Sequence, residues 1–171
     1  LISIPLNLDI RVLGAYKELK NKYYDSTLKK SRTKFGLTGY KTSDIIKNMH
    51  TNTQKGVQGL YILLSDQSPQ IRKTHYWANF MGIKVPVHTG AEMLSKKFDL
   101  AYVNYKTTRI KRGYYQIEFE LISETPKEVK DYGLTDQYLK ITEAHIRDQP
   151  EYYLWSHRRF KHKDRVPEKF L

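Results

Sequence analysis

Residues 57–64, Val-Gln-Gly-Leu-Tyr-Ile-Leu-Leu, constrain the fold more than any other stretch. A short, almost continuously apolar run rich in branched side chains has little polar face to offer water, so it suits a strand covered on both sides, as in a parallel sheet. Such a strand needs helices packed against its sheet, and the preceding residues supply them. Residues 10–16 (Ile-Arg-Val-Leu-Gly-Ala-Tyr) read as an earlier strand. Residues 21–35 read as a helix with Asn21 as its N-cap and Gly36 as its terminator. At about 100° per residue, Tyr24, Leu28, Ser31 and Phe35 form one stripe of that helix. Lys22, Lys29, Lys30 and Lys34 spread over the opposite side, and Arg32 sits at the edge of the apolar stripe. Thr42-Ser43-Asp44 opens a second helix running to about Thr53, with Ile45, Ile46 and Met49 on one side.

The strand over 57–64 runs into Ser65-Asp66-Gln67-Ser68-Pro69. Asp, Ser and Pro favour turns for local backbone reasons. In open α/β sheets, however, ligands bind at the carboxyl ends of strands, which gives a polar cluster at this place a second reading as a binding loop. Residues 73–87 read as a long aromatic loop, 90–98 as a helix, 100–106 as a strand and 109–113 as a basic turn. Tyr115, Ile117, Phe119 and Leu121 alternate with Gln116, Glu118 and Glu120, the pattern of a half-buried antiparallel strand. A last helix over about 135–149 turns Leu134, Tyr138, Ile141 and His145 inward, and Pro150 opens a new turn. The expected fold class is α/β, a mixed and largely parallel sheet flanked by helices, in a single domain over 1–171.

A formal net charge of +12 and a pI near 9.7 favour an acidic partner: nucleic acid, anionic lipid, a phosphorylated substrate or an acidic carrier protein. The segment 157–165 holds five Lys or Arg against one Asp and follows Tyr152, Tyr153 and Trp155. That mixture suits nucleic acid, where rings stack on bases, and equally an anionic membrane interface. No Gly-rich phosphate loop, RNA-recognition signature, zinc finger or leucine zipper accompanies it. The absence of cysteine excludes disulfides, thiolate zinc sites and a cysteine nucleophile. His88 and Glu92 share a helical face but lack a third ligand, so no metal site is expected. His145, inside an apolar stripe, reads as a hydrogen-bonded core histidine. No run reaches the roughly 18–20 apolar residues that cross a bilayer. The chain opens on Leu1-Ile2-Ser3-Ile4-Pro5-Leu6, which reads as a truncated start, and residues 1–8 are the expected sticky surface of an opened sheet edge.

Two stretches carry a resemblance: Ser65 to Pro69, and Pro150-Glu151-Tyr152-Tyr153-Leu154-Trp155-Ser156-His157-Arg158-Arg159-Phe160-Lys161. With Tyr16 to Asn21, Arg32 to Gly36, Gly90 to Leu94 and Tyr114 to Glu118, their order and separation resemble the bacterial late acyltransferases of lipid A biosynthesis, a branch of the lysophospholipid acyltransferase superfamily. The resemblance implies an acyltransferase-like fold and transfer of a fatty acyl group from acyl carrier protein to a hydroxyl of a phosphorylated, acylated glucosamine lipid. It implies no cofactor, an anionic membrane surface and no nucleic acid as partner, and a place at the cytoplasmic face of the bacterial inner membrane. It also implies substrate contacts from Arg32, Asp66, Gln67 and Ser68, and from Arg109, Arg158 and Arg159, with Trp155 and His157 in a structural closing segment. The basic stretch 11–41, with nine Lys or Arg against two acids, would face the carrier or the membrane through Lys29, Lys30 and Lys34. That superfamily works through a His followed five positions later by Asp or Glu. Five positions after His50, His75, His88, His145, His157 and His162 stand Lys55, Phe80, Met93, Pro150, His162 and Pro167. The chain therefore matches the part of such an enzyme that follows its catalytic dyad, no catalytic residue is assigned in it, and it is expected to be inactive alone. The alternatives are a basic nucleic-acid-binding α/β module and a non-catalytic lipid-surface protein.

Overall fold

A computed structural model describes residues 2–170. Leu1, the first residue of the apolar opening, lies outside the described residues. The chain divides into two compact units, residues 1–63 and 64–171.

The first unit alternates strands and helices: β1 (Arg11–Tyr16), α1 (Lys22–Thr33), β2 (Thr38–Lys41), α2 (Ile45–Gln54) and β3 (Gly59–Ile62). The strands form a parallel sheet in the order β2-β1-β3, with Leu13 opposite Thr38 on one side and Tyr61 on the other. The central position thus belongs to β1, where Val12 and Leu13 are fully buried, and Ile45 and Met49 are the buried apolar residues of α2. The strand expected over 57–64 is shorter than its apolar run. β3 keeps four half-buried residues at the sheet edge, and Leu64 is exposed. At Gly59, the first residue of β3, a Cβ would stand 2.6 Å from Leu13 Cδ1, so Leu13 occupies the space that a side chain there would need.

The N-cap of α1 is as expected: Asn21 Oδ1 accepts from the amides of Tyr23 at 3.0 Å and Tyr24 at 3.3 Å. Its inward face differs from expectation. Tyr24 and Leu28 are exposed, and the buried position is Asp25, whose carboxylate accepts the Leu19 amide at 2.9 Å and Lys29 Nζ at 2.9 Å. Lys29 also stands over the Tyr16 ring, 4.9 Å from its centroid. Hydrogen bonding to Tyr16 and Asp25 raises the Lys29 pKa. Lys29 is therefore engaged inside the unit, while Lys30 and Lys34 remain on its surface.

The second unit contains two antiparallel hairpins and two helices: β4 (Tyr76–Phe80), β5 (Ile83–Val87), α3 (Gly90–Phe98), β6 (Tyr102–Lys111), β7 (Tyr114–Ser123) and α4 (Gly133–Asp148). Residues 73–87, expected as a loop, are mostly the β4–β5 hairpin. It turns through Met81 and Gly82, both with positive φ (52° and 78°). Its inner face, Ala78, Phe80, Val85 and Val87, packs with Leu139 and Ile146 of α4 into the core, against which Tyr138, Tyr153 and Phe160 lie. The β6–β7 ribbon is paired as its alternation demands but is not half-buried. Tyr115, Phe119 and Leu121 are exposed, and full burial is confined to Tyr102 and Asn104 at its base. A salt bridge from Lys106 to Asp148 at 2.8 Å ties the ribbon to α4. The class is mixed α/β, as expected. Among the described residues, its parallel and antiparallel strands belong to three sheets and not to one mixed sheet.

Glu92, paired by spacing with His88, has a structural partner set. Its Oε2 accepts the Thr135 amide at 2.9 Å and the Thr135 hydroxyl at 2.7 Å, and its Oε1 pairs with Lys96 at 2.9 Å, which joins α3 to α4. No group of three metal-ligating side chains exists among the described residues, and no helix there is long and apolar enough to cross a membrane.

Candidate functional site

Pro150 starts a short helical turn, after which Tyr153 and Phe160 anchor the tail on the core beside Phe80. Between these anchors His157 and Arg159 both turn toward the segment Ser65–Pro69, while Arg158 stays exposed. The Ser68 amide donates to His157 Nε2 at 2.9 Å. Ser68 Oγ donates to the Arg159 carbonyl at 2.8 Å and accepts from Arg159 Nη1 at 3.3 Å. Nη1 also donates to the Pro86 carbonyl at 2.7 Å, and the guanidinium stands over the Phe80 ring at 5.2 Å. Arg159 is 2% exposed. A buried charge needs such compensation, since leaving water costs it several kcal/mol. Burial does lower the Arg159 pKa, while Tyr153, Asp66 and Tyr138 act in the opposite sense. Trp155 is half-exposed, and its Nε1 donates to the Pro150 carbonyl at 2.6 Å.

Asp66 stands in the same clasp. Its carbonyl accepts the Tyr153 hydroxyl at 3.4 Å, and its carboxylate, only partly buried, lies close enough to raise the pKa values of three phenols. Burial is the larger cause for Tyr105, Tyr138 and Tyr153, and the charge of Asp66 adds to it in each. His88 keeps some exposed surface, yet desolvation and then the charge of Arg159 lower its pKa. Asp66 thus places one carboxylate within electrostatic range of three phenols, of which Tyr153 already donates to the Asp66 carbonyl. A carboxylate and hydroxyls in one region suit a ligand that carries hydroxyl groups.

The expected site residues are distributed as follows. Ser68 and Arg159 touch, and Asp66, Gln67 and Arg158 are held in their clasp by chain connectivity. Arg159, expected near a ligand headgroup, has its charge turned into the interior. Arg109 lies on β6, where its Nη1 donates to Tyr152 Oη at 3.0 Å. Arg32 is exposed in the last turn of α1, in the first unit. The sequence reading passed over a groove of 430 Å³ beside Ser68, lined by Pro69, Gln70, Ile71, Arg72, Lys161, His162 and Arg165. The signal was available in the basic tail, where Lys161 and Arg165 are four residues apart and His162 follows the first of them.

No curated protein sequence matches the chain. The model of the family described as bacterial lipid A biosynthesis acyltransferase matches residues 6–162, a span that takes in α1, the Ser65–Pro69 segment and the tail through His162. Because that match covers most of both units, the chain belongs to the bacterial lipid A biosynthesis acyltransferase family.

Proposed function

We propose that this chain forms the acceptor side of an enzyme that transfers a fatty acyl group from acyl carrier protein to a hydroxyl of a phosphorylated, acylated glucosamine lipid. The family makes acyl transfer in lipid A biosynthesis the activity and a lipid A precursor the substrate. The observation that carries the assignment to this region is the clasp of Ser68, His157 and Arg159, which holds the segment bearing Asp66 beside Tyr153. Asp66 accepts a hydrogen bond from a sugar hydroxyl, and the phenols answer the other ring oxygens. A general base removes the proton of the reacting hydroxyl, whose oxygen attacks the thioester carbonyl. An ester forms and the carrier's thiol is released. No histidine of this chain has an acidic residue five positions on, so in this reading the base comes from sequence outside these 171 residues and the chain alone gives no turnover. The charge of +12, together with exposed Lys30 and Lys34, supports docking of an acidic carrier and of anionic lipid at the cytoplasmic face of the inner membrane.

The test is transfer of acyl groups from acyl carrier protein to a lipid A precursor by the intact parent enzyme, with Asp66→Ala and Arg32→Ala beside it. A hydrogen bond to a charged group is worth about 1.5–3 kcal/mol, so Asp66→Ala is expected to lower transfer by about 10- to 100-fold. Full activity in both variants would remove the acceptor site from this chain.

A further inference from the structure

The groove beside Ser68 gathers three cations and no carboxylate. Arg72 comes from the helical turn Ile71–Lys73, Arg165 from the turn Lys163–Arg165, and Lys161 from the tail just before it. Among the described residues none of the three forms an ion pair. Between Lys161 and Arg165 lies His162, whose Nδ1 is shielded from water without a hydrogen-bond partner among the described residues. Desolvation first, then the charges of Lys161 and Arg165, lower the His162 pKa. Three like charges drawn into one concave surface repel one another, and a bound anion relieves that repulsion.

The charge and size of the groove narrow the anion. Two guanidinium forks and an ammonium match the oxygens of a phosphate, which as a monoester carries about −1.5 to −2 near neutral pH. A single carboxylate would leave most of the positive charge uncompensated. The groove is open to solvent, and its volume of 430 Å³ admits more than a bare ion. Pro69 and half-buried Ile71 supply an apolar wall against which a sugar ring can lie. Ser68 belongs both to this groove and to the clasp, and Asp66 is two residues away, within about 7 Å along the chain.

We propose that the groove formed by Arg72, Lys161, His162 and Arg165 binds a phosphate monoester, carried on an amino-sugar headgroup whose hydroxyls reach toward Asp66. The phosphate chemistry stands on the groove alone. The sugar rests on the acyltransferase reading given above.

Calorimetric titration of the whole 171-residue chain with glucosamine 1-phosphate, glucosamine and inorganic phosphate tests the proposal, with phosphatidylglycerol vesicles as a separate arm. Glucosamine 1-phosphate is expected to saturate at one site and glucosamine not to bind. Arg72→Glu and Arg165→Glu should each weaken binding at least tenfold, and Arg72→Gln should do so to a smaller degree. Lys140→Glu, an equal change of net charge on α4, should leave binding unchanged. All three positions are exposed, and circular dichroism checks that each variant is folded. Inorganic phosphate binding as tightly as the phosphosugar supports the phosphate site and removes the sugar from it. Binding insensitive to Arg72→Glu and Arg165→Glu, or seen only with vesicles, overturns the proposal. Loss of acyl transfer in Asp66→Ala without phosphosugar binding here would overturn the groove assignment and leave the acyltransferase reading standing. Phosphosugar binding lost in Arg165→Glu, with no transfer by the parent, would do the reverse.

Discussion

Replacing Ser68 by Ala tests the clasp directly. The hydroxyl donates to the Arg159 carbonyl at 2.8 Å and accepts from Nη1 of the same residue at 3.3 Å. The first is an ordinary neutral bond, worth about 1 kcal/mol net, and the second involves a charged donor, worth about 1.5 kcal/mol at its long distance. Removal also leaves a 2%-exposed guanidinium with the Pro86 carbonyl as its remaining protein acceptor among the described residues, because Nε and Nη2 have none. The expected loss is therefore about 2–3 kcal/mol for the unit over 64–171. Trp77 and Trp155, the two tryptophans of the sequence, both belong to that unit, so intrinsic fluorescence reports its unfolding. With a urea dependence of about 2 kcal/mol/M, the midpoint falls by roughly 1–1.5 M. Ser68→Thr, which keeps a hydroxyl, should recover most of the loss. In a double-mutant cycle with Arg159→Met, the coupling should reach about 1 kcal/mol or more. A midpoint change no larger than that of Gln67→Ala, or additive effects in the cycle, would refute the reasoning.

Two further outcomes concern other parts of the molecule. Asn21→Ala removes the acceptor of two amides at the start of α1 and is expected to destabilise the first unit by about 1 kcal/mol, read as lost helical ellipticity in a thermal melt, whereas Asn21→Asp should be close to neutral. The pKa of His88 is lowered in the folded chain, so between its folded value and the unfolded value near 6.5 the unfolded chain binds more protons. Stability contributed by neutral His88 is then fully present above that range and declines as pH falls through 6.5. His88→Asn should flatten the fall in urea midpoint between pH 7 and pH 5, and an unchanged slope would count against a lowered His88 pKa in the folded chain.

What was legible in the sequence was local. The N-cap of α1, the span of α3 and the alternation of β7 follow from neighbouring residues, and each element formed close to its expected place. The failures came partly from neighbouring residues and partly from contacts far apart in the chain. The amphipathic stripe of α1 pointed to Tyr24 and Leu28, but the Leu19 amide and Lys29 drew Asp25 to the inner face. The β4–β5 hairpin was hidden because Pro86 sits within its second strand and its turn lacks Asn-Gly. At the candidate site, Ser65 to Pro69 and the tail both stood out by composition. Their contact across about 90 residues, such as Ser68 with His157 at a separation of 89, has no periodic signature. The burial of Arg159 was illegible for the same reason, since its carbonyl partner Pro86 and its ring partner Phe80 lie on a hairpin the sequence did not reveal.

The turn of that hairpin also ties the strands to α4. Met81 and Gly82 occupy consecutive left-handed conformations, and for a residue with a side chain this costs roughly 1–2 kcal/mol. A two-stranded ribbon of five-residue strands is only marginally stable in water by itself. What holds Met81 is the Glu143 carboxylate, which accepts its amide at 2.8 Å from 62 residues further along. The bond closes only when α4 lies against the hairpin, a contact between residues 62 apart in the chain. Hairpin and helix are thus coupled: wherever α4 lifts away, the Met81 amide loses the acceptor that holds the turn.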